Sequence, residues 1–324
     1  MRWANFLHIY QPAGQQPDIL ASVVTQSYRP ILEGMKANSK AKLTLNINGV
    51  LLEMLDQYGY HDLIDSINQL MDEGRLELTG TAKYHALLPF LTEREMIRQI
   101  EANEATLKFY TNNRFQPKGF FPPEMAFDEK MVPVLTQLGY KWIIIDEIAC
   151  GGKTGQVDYS KIYKVKGADL SVFFRERSPS NLIMGAAVRS ADSLEEVMDI
   201  RFSSDSYLVT GMDGETFGHH RPGLEHLLFE IFQSPKYELV TISELADHYH
   251  ETVEVSPVKS TWASSEQDVE RGIQFLSWDD PENDIHHWQR ELVNLMTACV
   301  YTMDKTSPNF LNIRKAMDEA MSSD

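Results

Sequence analysis

Short apolar runs of strand length alternate with longer stretches of helical periodicity from residue 3 onward, and this rhythm leaves few folds open. Strand-like runs at 3–10, 42–48, 76–80, 119–123, 142–146 and 207–211 are separated by helix-like stretches. The helical stretches lie at 19–36 (broken near Pro30), at 60–73 ending on Gly74, at 92–113 and at 129–138. Thr92-Glu93-Arg94-Glu95 reads as a capping box. Residues 161–166 and 170–176 read as paired strands, 193–200 as a capped helix, and Pro222 as the first turn of a helix running to 232. A strand at 238–241 and a helix capped at Ser243 follow. Strands alternating with helices predict a parallel sheet with helical crossovers, open or closed into a barrel.

Residues 251–260, with Pro257 and few large apolar side chains, read as a linker, and 283–304 and 308–321 as helices. The expected division is therefore 1–250 and 251–324, the second part a helical region packed on the first and closing its cleft.

Composition narrows the partners. The 324 residues, 43% of them hydrophobic, suffice for a large core, and no repeat or low-complexity tract is visible. Thirty Lys+Arg against 47 Asp+Glu give a formal charge of −17, which disfavours nucleic acid and anionic membrane partners. Residues 1–8 read as a first strand rather than a signal peptide, and no stretch approaches the ~20 apolar residues that span a bilayer. Cys150 and Cys299 stand far apart, as expected of a protein in a reducing, cytoplasmic compartment. Nothing in the sequence sets the oligomeric state.

Polar residues recur at the ends of the strands. His8 and Gln11 follow the first, Asn46 and Asn48 end the second, and His85 follows the third. Glu124 follows the fourth, Asp146 and Glu147 the fifth, Arg175 and Glu176 end a later one, and Asp213 and Glu215 follow 207–211. In a parallel barrel all these ends lie on one face, where active sites assemble. Strand ends also tolerate polar residues for reasons of exposure alone, so the recurrence carries more weight than any one position. Two segments exceed that background. Gly119-Phe120-Phe121-Pro122-Pro123-Glu124 sets a carboxylate in a stiff apolar wall suited to a nucleophile. Asp213-Gly214-Glu215-Thr216-Phe217-Gly218-His219-His220 gathers acids, imidazoles and glycines that suit proton transfer close to a ligand, or a metal site.

These segments resemble the motifs of glycoside hydrolase family 57. His8-Ile9-Tyr10-Gln11-Pro12 resembles its His-x-His-Gln-Pro opening, with Tyr10 in place of the second His. Gly80 to Pro89 resembles the second motif, with Ala86 replacing a Pro. Pro122-Pro123-Glu124 resembles the nucleophile motif, and Asp213-Gly214-Glu215-Thr216-Phe217-Gly218-His219 the acid/base motif, with His220 where Trp is common. The segments around Trp262 and Trp278 resemble its Trp-bearing helical region.

The resemblance implies an α/β fold, an incomplete (β/α)7 barrel followed by a C-terminal helical bundle. It further implies a retaining α-glycoside hydrolase or glucanotransferase acting on α-glucans or malto-oligosaccharides without cofactor or metal. Glu124 would be the nucleophile and Asp213 the general acid/base, their carboxyl oxygens about 5–7 Å apart. His8, Gln11, His85, Glu215, His219, Trp262 and Trp278 would contact substrate, and Trp288 is a further stacking candidate. The departures at Tyr10, Ala86 and His220 bear on substrate contacts more than on the chemistry. A metal-dependent carbohydrate deacetylase using Asp213, His219 and His220 is the alternative enzyme, and a catalytically weak glucan-binding protein the alternative from another class.

Overall fold

The first strand, β1 (Arg2–Ile9), is buried from Trp3 to Ile9, as a strand of a parallel sheet covered on both faces should be. The computed structural model describes residues 1–198 and 205–323. β2 (Leu43–Ile47) and β8 (Tyr207–Asp213) flank β1 in parallel, and β3 (Leu76–Leu78) pairs with β2. β9 (Glu238–Leu239) pairs with the start of β1. The second sheet runs β10 (Thr252–Val255), β6 (Ile162–Val165), β7 (Ser171–Arg175), β5 (Trp142–Asp146), β4 (Gly119–Phe120). It is parallel except for the β6–β7 pair, which is antiparallel; these are the two strands expected to pair.

Ladder pairing does not run around the whole wall. At one seam Gly80 bridges Phe120, its N–H donating to Gly119 O at 2.9 Å and its carbonyl accepting from Phe121 N–H at 2.9 Å. At the other, Glu176 N–H donates to Val209 O at 2.8 Å. Seven parallel strands, β1, β2, β3, β4, β5, β7 and β8, thus form the incomplete barrel, with the helices α12 (Asp284–Thr302) and α13 (Phe310–Ala320) following it. No described helix is long and apolar enough to cross a membrane.

The period-2 alternation of β1 divides the core. Trp3, Leu7 and Ile9 pack among helix residues such as Leu20, Ile31 and Leu227. Ala4 and Phe6 join Phe121, Ile145 and Val209 instead. His8 shares the parity of Ala4 and Phe6, so it stands above that second cluster.

Some boundaries differ from expectation. Residues 251–260 are no linker: β10 is an edge strand whose alternating Thr-Val-Glu-Val carries the signal, and Ser260 bridges Phe127. The helix expected from Pro222 is α9 (Glu225–Gln233), with Pro222 in the turn before it. α10 (Ile242–His248) is capped by Thr241 and Glu244 in a capping box, because the Ser243 hydroxyl is committed to Glu77. The expected helix at 193–200 is α8 (Ala191–Met198), and residues 199 and 200 lie outside the described residues. α5 (Glu93–Tyr110) starts where expected, Thr92 Oγ1 accepting from Glu95 N–H at 3.3 Å.

The break near Pro30 has a defined form. Proline has no N–H to give Gln26 O, and between α1 (Pro17–Val23) and α2 (Arg29–Ala37) residues Val24–Tyr28 widen into a π-turn. Against this turn lies Gly218, at φ 101°, where a Cβ would come within 1.9 Å of Gln26 O. His219 Nδ1 stands 2.8 Å from Gln26 Oε1. The π-turn therefore locates the Asp213–His220 segment.

Gly218→Ala should destabilise the fold by about 2–4 kcal/mol in urea unfolding, through both strain and clash. Gly223→Ala has a similar φ of 83° but open space around its Cβ, and should cost only about 1 kcal/mol. Equal losses would show that the contact with Gln26 is unimportant.

Candidate active site

The register of β1 places the first site residues. His8 is paired in register with Asn46 on one side and Asp213 on the other. Asn46 Oδ1 lies 2.7 Å from His8 Nδ1, and Asn46 Nδ2 donates to Thr79 Oγ1 at 3.0 Å. His8 stacks on His85, ring centroids 4.7 Å apart, and Tyr10 also stacks on His85 at 4.5 Å. Burial holds both imidazoles neutral: His8 falls to about 4 despite its bond to Asn46, and His85 is pushed well below its ordinary value by burial and then by His8.

Glu124 follows β4 on a strained turn. Its φ is 62° and that of Met125 is 49°, left-handed values that side chains with a Cβ adopt at a cost of about 1 kcal/mol or more each. Pro122 and Pro123 stiffen the approach, and their carbonyls accept from Met125 and Ala126 N–H at 2.8 and 3.0 Å. Trp262 grips Glu124 twice: its backbone N–H donates to Glu124 O at 3.2 Å and its indole Nε1 to Glu124 Oε2 at 2.8 Å. Trp262 is itself held by Arg177, which donates to Trp262 O at 3.1 Å and Ser264 O at 2.8 Å while pairing with the buried Asp146.

Glu215 is fully enclosed. Its carboxyl accepts from Tyr28 OH, from Gln11 Nε2 at 3.2 Å and from Tyr10 N–H at 3.4 Å. Burial first, then the neighbouring Asp213, push it up to about 7 against those hydrogen bonds. It orients Gln11 and Tyr28 and is spent within the protein.

A cleft of about 610 Å³ gathers these groups, within the ~300–1,000 Å³ usual for ligand sites. His8, Gln11, His85, Glu124, Asp213, Glu215, His219 and Trp262 all line it, so the structure brings together most of the residues expected from sequence. Trp278 does not: it lines a neighbouring cavity, and its indole N–H donates to Ser323 O at 2.8 Å. Trp288 lies exposed on α12. Among the described residues no three or more His, Cys, Asp or Glu side chains are grouped to hold a metal ion, so Asp213, His219 and His220 do not form the ligand set of the deacetylase alternative.

Three contributors were not among the expected site residues. Arg175, buried in the cleft wall, donates to Gly211 O at 2.6 Å, Asp146 Oδ2 at 2.8 Å and Asn181 Oδ1 at 2.7 Å. Its place at a strand end was a usable signal. Tyr28 gave none, since a tyrosine in a helical stretch reads as core. Ser323 also gave none: its Oγ lies 2.8 Å from His85 Nδ1 and 3.5 Å from Glu124 Oε1.

The sequence profile of the family described as Glycosyl hydrolase family 57 matches residues 10–259. The chain is similar to an α-amylase of Pyrococcus horikoshii, 25% identical over 233 residues that make up 70% of this chain and 36% of that one. It is 24% identical over 262 residues to a 4-α-glucanotransferase of Thermococcus litoralis, covering 75% of this chain and 38% of that one. The chain thus spans little more than a third of the length of these relatives. The crystal structure of 4-α-glucanotransferase from Thermococcus litoralis superposes with a TM-score of 0.76 at 18% identity, covering 100% of this chain and 54% of the other, a likeness of fold.

The Glu215 proton gives a pH test. Folded, Glu215 keeps its proton to about pH 7; unfolded, it loses it near 4.5. Its contribution is therefore full below pH 4.5 and lost as pH rises through 7. Glu215→Gln lacks this loss, so its urea-unfolding stability relative to the parent should improve by up to about 3 kcal/mol across that window. Parallel pH curves for the two proteins would refute the assignment.

Proposed function

Because the chain belongs to glycosyl hydrolase family 57, we propose that it acts on α-glucans or malto-oligosaccharides by a retaining double displacement, with Glu124 as nucleophile and Asp213 as general acid/base. The relatives named α-amylase and 4-α-glucanotransferase support this substrate class. One observation carries the assignment of roles: Glu124 and Asp213 face one cleft from different sheets, and Glu124 alone is fixed by a strained turn and a double contact with Trp262.

In this reading Glu124 attacks the anomeric carbon while Asp213 gives its proton to the departing glycosidic oxygen, so the bond broken and the bond formed share that carbon. Asp213 then takes a proton from the incoming water or sugar hydroxyl, which displaces Glu124 and restores the α-configuration. A separation of about 5–5.5 Å between the carboxyl groups suits this course. Water gives hydrolysis and a sugar hydroxyl gives transfer. With Nδ1 of His8 engaged by Asn46 and Nδ1 of His85 by Ser323, only Nε2 of each neutral imidazole is left for a sugar hydroxyl, and Gln11 and His219 add further polar contacts.

Glu124→Gln and Asp213→Asn should each retain the fold and lose most turnover of maltoheptaose, by about 10³-fold or more. Azide should partly rescue Glu124→Ala and yield a glycosyl azide of inverted configuration. Near-parental activity of Glu124→Gln on every α-glucan turned over by the parent would reject the nucleophile. Trp262→Phe, which removes only the indole donor to Glu124, should lower kcat about 10–100-fold. The oligosaccharides formed from maltoheptaose distinguish hydrolysis, which gives shorter chains, from transfer, which also gives longer ones.

A further inference from the structure

The segment after α13 lines the neighbouring cavity and lies beside Glu124, held by several contacts. Ser322 bridges Ala86, and its Oγ lies 2.9 Å from Tyr10 OH. Ser323 N–H donates to His85 O at 3.1 Å, and Trp278 Nε1 donates to Ser323 O at 2.8 Å. Behind it, α13 is locked to α5 by a buried ionic cluster. Arg314 donates to Glu95 and to Asp318, the latter at 2.9 Å, while Arg98 donates to both acids. Such a cluster holds a helix in one register, since removing any member strands a buried charge. The Ser323 hydroxyl is thereby fixed 2.8 Å from His85 Nδ1 and 3.5 Å from Glu124 Oε1.

We infer that Ser323 is a positioning residue for Glu124, passing a hydrogen bond from His85 Nδ1–H to the Glu124 carboxylate. The direction follows from donor and acceptor chemistry. An ionised carboxylate only accepts, so the Ser323 hydroxyl proton points to Glu124 and its oxygen is left to accept from His85. His85 Nδ1 must then carry the imidazole proton. Burial keeps the ring neutral, and Nε2 accordingly has no protein partner among the described residues. Two oxygens of one carboxylate are thus held by two elements, Oε2 by Trp262 and Oε1 by Ser323. The catalytic consequence rests on the reading of Glu124 as nucleophile; the hydrogen-bond bridge does not.

The test uses the full chain with ¹⁵N-labelled histidine, the His85 signals being assigned through His85→Gln. In the parent, His85 should show the Nδ1–H tautomer, and Ser323→Ala should shift it toward Nε2–H, while Ser323→Thr keeps the parental signal. In parallel, Ser323→Ala should lower kcat/KM on maltoheptaose about tenfold and raise the acid limb of its pH profile by about half a unit, with Ser323→Thr near the parent. An unchanged tautomer in Ser323→Ala overturns the inference whatever the activity. A changed tautomer with an unmoved acid limb also overturns it, leaving Ser323 a prop for His85 alone. If the parent turns over no α-glucan, the proposed function fails and the tautomer measurement still decides the bridge.

Discussion

Parallel pairing sends every strand of the wall out on the same face, and the register of β1 fixes which side chains arrive there together. β1 is paired with β2, β8 and β9, and through these ladders His8 meets Asn46 and Asp213 at one level. Side chains alternate with period 2, so a slip of one residue would send Ala4, Phe6 and His8 outward and bring Trp3 and Leu7 into the barrel. The apolar fit of Phe6 against Phe121, centroids 5.0 Å apart, opposes that slip. Core packing and site assembly are therefore one constraint.

Above that core several site groups are buried, and their electrostatics follow. The buried imidazoles shed their charge, whereas the buried guanidinium of Arg175 keeps its charge, compensated by Asp146 and two neutral acceptors. The pH responses of these groups oppose one another. His8 and His85 withdraw stability as pH falls below 6.5, because the unfolded chain then binds protons that the folded ring refuses. Glu215 withdraws it as pH rises. The two windows overlap, so over about pH 4.5–6.5 what the imidazoles gain as pH rises is partly offset by what Glu215 loses.

Much of this was legible in the sequence, because strand and helix periods are local and the chemistry sits at strand ends. Glu124 stood out through its prolines, and Asp213 through its glycines and histidines. What stayed hidden depends on tertiary contact. An edge strand such as β10 alternates exposed and half-buried residues with none buried, so its apolar signal is weak against Pro257 nearby. Trp278 reads like Trp262 in sequence, yet one indole reaches a carboxylate and the other a backbone carbonyl. Ser323 matters only because distant charges on α5 and α13 bring it to Glu124. No local pattern encodes that arrival.

The two seams have a mechanical meaning. Glu124 follows β4, in one sheet, and Asp213 ends β8, in the other. The sheets are joined by the bonds at Gly80 and at Glu176 and by Arg175 Nε donating to Gly211 O, not by continuous ladders. The gap between the carboxyl groups is therefore set by the angle between two stiff plates, like the opening of a pair of jaws. A small rotation about the seams would widen or narrow it without breaking a single ladder bond. The fold holds each tooth rigidly while leaving the bite adjustable.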